Sequence, residues 1–285
     1  MRNAAEPAFE GWYYKQQARG AAGAALALIP GKSKGGAFIQ AITDKESWNI
    51  PFGPDQYRKN TASGAVSIGG SEFSSSGISL NIRRKNISLR GELRYGSPRP
   101  LQSDIMGPLR FLPMECRHGV VSMKHDVAGK VVLNGEELSF DKGTGYIETD
   151  SGRSFPEGYC WIQCNDFDQD CSVMASIAKI PFMGLRFWGC ICAITLGGAE
   201  YRLATYKGAE ILRCERGAME LRQGKYHLDI RIDQRAAHSL AAPESGLMSR
   251  VIMESVSCPA KFVFTENGRA VFIGGSARAS YECAM

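Results

Sequence analysis

Tyr146, Glu148 and Asp150 stand two residues apart, and Tyr159, Trp161, Gln163 and Asn165 repeat that spacing shortly afterwards. Side chains alternate along a β-strand, so each set occupies one strand face. The first face offers two carboxylic acids beside a phenol. A carboxyl in an apolar pocket keeps its proton near neutral pH and can pass it to an alkene. The second face offers an indole, which can stabilise a cation, and two amides, which can orient a polar group. His118 and His125 lie just upstream, and Trp12 sits near the N-terminus. Together these types suit acid-initiated chemistry. An alkene is protonated to a tertiary carbocation, an oxygen captures it, and an apolar cleft holds the chain folded. The candidate catalytic residues are therefore Glu148, Asp150 and Tyr146. The candidate substrate contacts are Trp161, Gln163, Asn165, His118 and Trp12.

Each candidate has a plainer reading. Tyr146, Glu148 and Asp150 also suit a solvent face with Ile147 turned inward, or an ion pair with Arg153. His118 and His125 have opposite parity, so both face one pocket only across a bulge. Either histidine also suits a hydrogen-bonded structural role. Trp12, beside Tyr13 and Tyr14, suits a barrel plug, and Trp161 suits a core. Gln163 and Asn165 either bridge backbone at a domain junction or hold a polar ligand head.

The elements that position these residues read as strands. Asn134-Gly135 and Asn267-Gly268 each separate β-prone runs, the signature of tight hairpins. Short strands at spacings of roughly 8–12 residues recur along the chain, and its 32 glycines interrupt nearly every helical pattern. The expectation is an all-β protein with little helix. For 285 residues, the strand count suits two barrel-like units in tandem. The strand pattern breaks at Ser151–Pro156, which places the division between 1–153 and 154–285.

Composition narrows the function classes. A net charge of +5, spread without a Lys/Arg block, argues against a nucleic-acid partner. No run approaches the ~18 apolar residues of a membrane span. The start carries no apolar run of signal-peptide length. The protein is expected in the cytoplasm, with peripheral membrane contact at most. The nine cysteines are an odd number and are expected to be reduced. Cys160 and Cys164 would lie about 13 Å apart on one strand, too far for one zinc ion. No metal and no cofactor is expected. There is no phosphate loop and no nucleophile elbow.

Several segments, taken in order, resemble the tocopherol-cyclase-like family. They are Phe9-Glu-Gly-Trp-Tyr-Tyr-Lys15, Ala37-Phe-Ile-Gln40, Met114 to His125, Gly145-Tyr-Ile-Glu-Thr-Asp150 and Ser154-Phe-Pro156. Trp161-Ile-Gln-Cys-Asn165, Ser176 to Pro181 and Ala242-Pro243 with Gly246 follow. The resemblance implies two tandem lipocalin-like antiparallel β-barrels, similar to carotenoid hydratases. It also implies a cofactor-independent cyclase or isomerase acting on a prenylated quinol or related polyene. The family commonly has Trp-Gly after the acidic strand, where this chain has Ser151-Gly152. The alternative is a non-catalytic carrier of an apolar small molecule. A buried protonated carboxyl at the pocket base favours the enzyme. A smooth pocket with amides alone favours the carrier.

Overall fold

The computed structural model describes residues 6–20, 23–182, 184–234 and 236–285. Two large antiparallel sheets account for most of them. The first holds β1 (Phe9–Gln17), β2 (Ala25–Ser33), β3 (Gly36–Thr43), β4 (Ser47–Phe52), β5 (Tyr57–Lys59) and β6 (Val66–Ile68). It continues with β7 (Ser71–Ser74), β8 (Gly77–Arg84), β9 (Ile87–Tyr95), β10 (Cys116–Leu133), β11 (Glu136–Ser139) and β12 (Gly143–Gly152). The second begins with β13 (Tyr159–Cys164), β14 (Cys171–Phe182), β15 (Leu185–Leu196), β16 (Ala199–Ala204) and β17 (Glu210–Glu215). It is completed by β18 (Ala218–Gln223), β19 (Tyr226–Ile232), β20 (His238–Glu244), β21 (Leu247–Glu266) and β22 (Arg269–Ala284). Among the described residues, helix is confined to short 3-10 turns such as Gly107–Phe111.

Both sheets follow one plan. The first strand pairs with the last, β1 with β12 and β13 with β22, and meanders run outward on either side. Both Asn-Gly turns form, with positive φ at Asn134, Gly135, Asn267 and Gly268, as the tight hairpin requires. Two strands, β10 and β21, run much longer than the short strands expected. Lys130–Leu133 continues the strand from His118, and Ala260–Thr265 continues the one from Val251. Register shifts near Val120, Ser122, Ser255 and Cys258 bend these strands without ending them. The barrels are lipocalin-like but not closed. Among the described residues, no ladder joins β4 to β5 or β16 to β17.

Each sheet wraps its own core. The first is built from Ile, Leu, Val and aromatics such as Leu28, Ile39, Phe73 and Leu89. The second uses Ile162, Phe262 and Phe264 with Cys160, Cys164, Cys171, Cys190, Cys192, Cys258 and Cys283. A third apolar cluster lies between the sheets and includes Tyr13, Ala27, Met123, Tyr146, Trp161, Met174 and Ile252. Consequently β1 and β13 are buried on both faces. Trp12 and Tyr14 enter the first core while Tyr13 enters the junction. Cys160 and Ile162 enter the second core while Trp161 enters the junction.

The cysteine expectation needs correction. Cys160 and Cys283 form a disulfide, and the other seven cysteines are free. The two face each other directly across the β13–β22 ladder. Because 123 positions separate them in the chain, strand spacing within one segment could not reveal the pair. Burial raises the remaining core thiols, Cys171 and Cys258 to about 12, so they stay protonated.

Candidate active site

A cavity of about 170 Å³ opens between the two sheets. Its walls are mainly apolar, with Ile29, Phe38, Met106, Leu109, Ile191, Leu240 and Ile252 among them. The polar side chains gather where the first and last strands of both sheets meet. Strand pairing brings them together. On the first sheet, Tyr13 lies opposite Glu148 and His118 lies opposite Asp150. On the second, Glu282 lies between Trp161 on one neighbouring strand and Glu254 on the other.

Glu148 sits at the centre of the polar group on the first sheet. Its Oε2 accepts hydrogen bonds from Tyr146 Oη at 2.5 Å and from Trp161 Nε1 at 3.2 Å. His118 Nε2 lies 3.4 Å from the same oxygen. His118 Nδ1 is 3.0 Å from Asp150 Oδ1, and the Cys116 thiol donates to that oxygen at 3.5 Å. Burial pushes the Glu148 carboxyl up to about 7, although the His118 charge pulls the other way. Burial alone would lower the His118 pKa, but Glu148 and Asp150 reverse that and raise it to about 9. An imidazolium between two acids, one of them protonated near neutrality, is an acid centre.

The second sheet supplies two further carboxyls. Tyr13 Oη donates to Glu254 Oε1 at 2.5 Å and also bonds Ser280 Oγ at 3.2 Å. Burial raises Glu254 to about 7. Glu282 is 7 % exposed, and its Oε1 has no hydrogen-bond partner among the described residues. Burial, then the charges of Asp150 and Glu148, hold it well above the usual carboxylate range. The Tyr13 and Trp161 rings meet edge to face at 5.4 Å beside these acids.

The sequence candidates divide between cavity and frame. Glu148, Asp150, His118 and Trp161 line the cavity together. Tyr146 does not: it is fully buried behind Glu148 and touches the site through that carboxyl. Gln163 and Asn165 are corrections to the expected ligand contacts. They face the junction, as alternation from Trp161 requires, but beyond the end of the cavity. Gln163 Oε1 accepts from Lys15 Nζ at 3.0 Å. Asn165 Nδ2 donates to the carbonyls of Gly145 at 2.9 Å and Met123 at 3.3 Å. Trp12 borders the cavity, but its ring belongs to the first core, with the Lys59 ammonium 4.8 Å from its centre. His125 leaves the site despite the bulges in β10. It packs on Tyr95 at 4.5 Å, and burial lowers it to about 4.

Tyr13, Glu254 and Glu282 were missed as site residues. Glu254 shares a strand face with buried Ile252 and Val256, and an acid alone on an apolar face was a usable signal. Glu282 gave none, because its partners come from strands far apart in the chain. Among the described residues, His118, Glu148 and Asp150 also have ligand atoms within 4.8 Å of one another, a spacing that could hold a metal ion. No sequence spacing marked that trio, since strand pairing creates it.

Fold and site together define an all-β protein of two lipocalin-like sheets with an acid-lined cavity at their junction. The chain belongs to the tocopherol cyclase-like family, whose model matches residues 54–209, more than half of it. No curated protein matches it significantly. Crystal structures that share the fold include two of low sequence identity. A protein assigned as AttH from Nitrosomonas europaea is 16% identical, with a TM-score of 0.55, covering 96% of this chain and 91% of that one. Kievitone hydratase from Nectria haematococca is 12% identical, with a TM-score of 0.57, covering 96% and 89%. No helix among the described residues is long and apolar enough to cross a membrane.

Proposed function

We propose that the protein is an acid catalyst that adds an O–H bond across a carbon–carbon double bond of an apolar substrate, without a cofactor. The observation that carries this reading is Glu148. Its carboxyl is buried at an apolar cavity, raised to about 7, and held by Tyr146 and Trp161. In this role Glu148 transfers its proton to one alkene carbon, forming a C–H bond and leaving a cation on the other. The Trp161 and Tyr13 rings stabilise that cation. A hydroxyl oxygen then forms the C–O bond and releases its proton to a carboxylate of the cluster. When the hydroxyl belongs to the substrate, the reaction is a cyclisation, as in conversion of a prenylated quinol to its chroman. When the hydroxyl is water, it is a hydration, the reaction named for the kievitone hydratase of like fold.

Asp150 and His118 restore the proton on Glu148, and Tyr146 positions that carboxyl. The test combines two measurements. Mass spectrometry of small molecules co-purifying with the protein identifies the ligand class. Turnover is then assayed on prenylated hydroquinones and prenylated phenols. Product that incorporates solvent deuterium at carbon supports the reading. Tight binding of every candidate with no turnover would replace it with the carrier.

A further inference from the structure

The acids of the cavity are unequally provided for. Glu148 and Asp150 have partners, and Glu254 has Tyr13. Glu282 Oε1 is buried in the cavity wall with nothing to bond. A buried polar atom left unpaired costs stability, so such an atom at a ligand cavity marks a place that a ligand completes. The chemistry of that ligand group is restricted. Among the described residues, no Lys or Arg lines the cavity, and the nearest charges are those of other acids. His118 is the one cationic side chain in the lining, and it is already engaged by Glu148 and Asp150, so no cation is left to pair with a carboxylate, phosphate or sulfate head. A neutral hydroxyl is suited, because it can donate to Oε1 and accept from a protonated carboxyl.

We infer that Glu282 forms a hydroxyl-binding subsite on the second sheet, which takes the phenol or alcohol oxygen of an otherwise apolar ligand. This rests on the acid-catalyst reading and adds to it. Glu282 and Glu148 approach the cavity from different sheets, with Trp161 hydrogen-bonded to one and opposite the other. A hydroxyl held at Glu282 and an alkene held at Glu148 would meet across the Trp161 ring. Glu282 thereby selects which oxygen attacks and orients it before the proton moves. Glu282 is strand-paired with Glu254, whose own oxygen is taken by Tyr13. Of these two paired acids, the open valence is therefore on Glu282; Tyr159 Oη and His118 Nε2 are the other lining atoms without a hydrogen-bond partner among the described residues.

Calorimetry with matched probes separates the two claims. The probes are 4-octylphenol, its methyl ether 4-octylanisole, and 4-octylbenzylamine. Wild type is expected to bind the phenol about tenfold more tightly than the ether. Glu282→Met should erase that preference while leaving the ether affinity unchanged. Glu282→Gln, which keeps a donor and an acceptor, should retain most of it. Infrared difference spectra on phenol binding should show a shifted carboxylic C=O band that Glu282→Gln lacks, a readout independent of the Met variant. If the ether binds but the preference is absent or survives in Glu282→Met, the subsite is overturned and the apolar cavity stands. A preference for the amine overturns the hydroxyl assignment. Failure of wild type to bind any probe removes both.

Discussion

The two sheets have the same strand plan, yet they meet the junction differently. The first sheet brings a finished polar assembly. Tyr146, Glu148, Asp150 and His118 come from two adjacent strands, and their mutual bonds are short and local. The second sheet brings acids whose partners lie elsewhere or are missing. Glu254 depends on Tyr13 of the first sheet, and Glu282 Oε1 has none. The cores differ too. The first is built of aliphatic and aromatic residues without cysteine, and the second adds seven cysteines to such residues. A strand plan can thus be repeated while the site is divided. In the proposed mechanism the first sheet supplies the proton donor, Glu148, and the second supplies Glu282, which orients the hydroxyl.

The sharpest way to break this contrast is to remove one acid from each sheet. Glu148→Gln keeps volume and deletes the proton donor. It should lower kcat roughly a thousandfold with nearly unchanged melting temperature. Glu254→Gln should cost less than about tenfold, because it alters a group bonded to Tyr13 and not the donor. Equal losses would end the division of labour.

A second test uses pH. Activity should fall as pH rises through about 7, where Glu148 loses its proton. Stability should fall over a related range. Glu148 and Glu254, raised to about 7, hold protons in the fold that the unfolded chain releases above about 4.3. Folding therefore weakens as pH climbs between those values. His118, raised to about 9, adds stability that is full below about 6.5 and lost as pH rises through 9. His125, lowered to about 4, works oppositely and costs stability as pH falls from about 6.5. Melting temperature should decline from near neutrality to about pH 9, and His118→Asn should flatten that decline.

Smaller effects refine the picture. Trp161→Phe keeps the ring but removes the donor to Glu148, so kcat should drop about tenfold with KM little changed. Lys15→Met should leave kcat nearly intact. It should lower stability by about 1–3 kcal/mol, because the Gln163 oxygen loses its partner, while the Arg278 carbonyl keeps its bond from Gln17. Urea unfolding beside a turnover assay checks that separation of frame from site.

Alternation and turn chemistry are local, so they were legible in the amino-acid sequence. The Asn-Gly hairpins, the near absence of helix and the shared face of Tyr146, Glu148 and Asp150 follow from period and residue type. So does the common orientation of Trp161, Gln163 and Asn165. How far a cavity extends along a strand is not local. Only the packing of Lys15, Met123 and Gly145 against β13 turns Gln163 and Asn165 into parts of the frame. Nor can alternation pair strands that are distant in the chain. The meetings of Glu282 with Trp161 and Glu254, of Cys160 with Cys283, and of Tyr13 with Glu254 were decided by tertiary structure. The reason is physical. A strand's own residues set which way each side chain points, while the burial that raises a carboxyl's pKa comes from whatever the other sheet places above it.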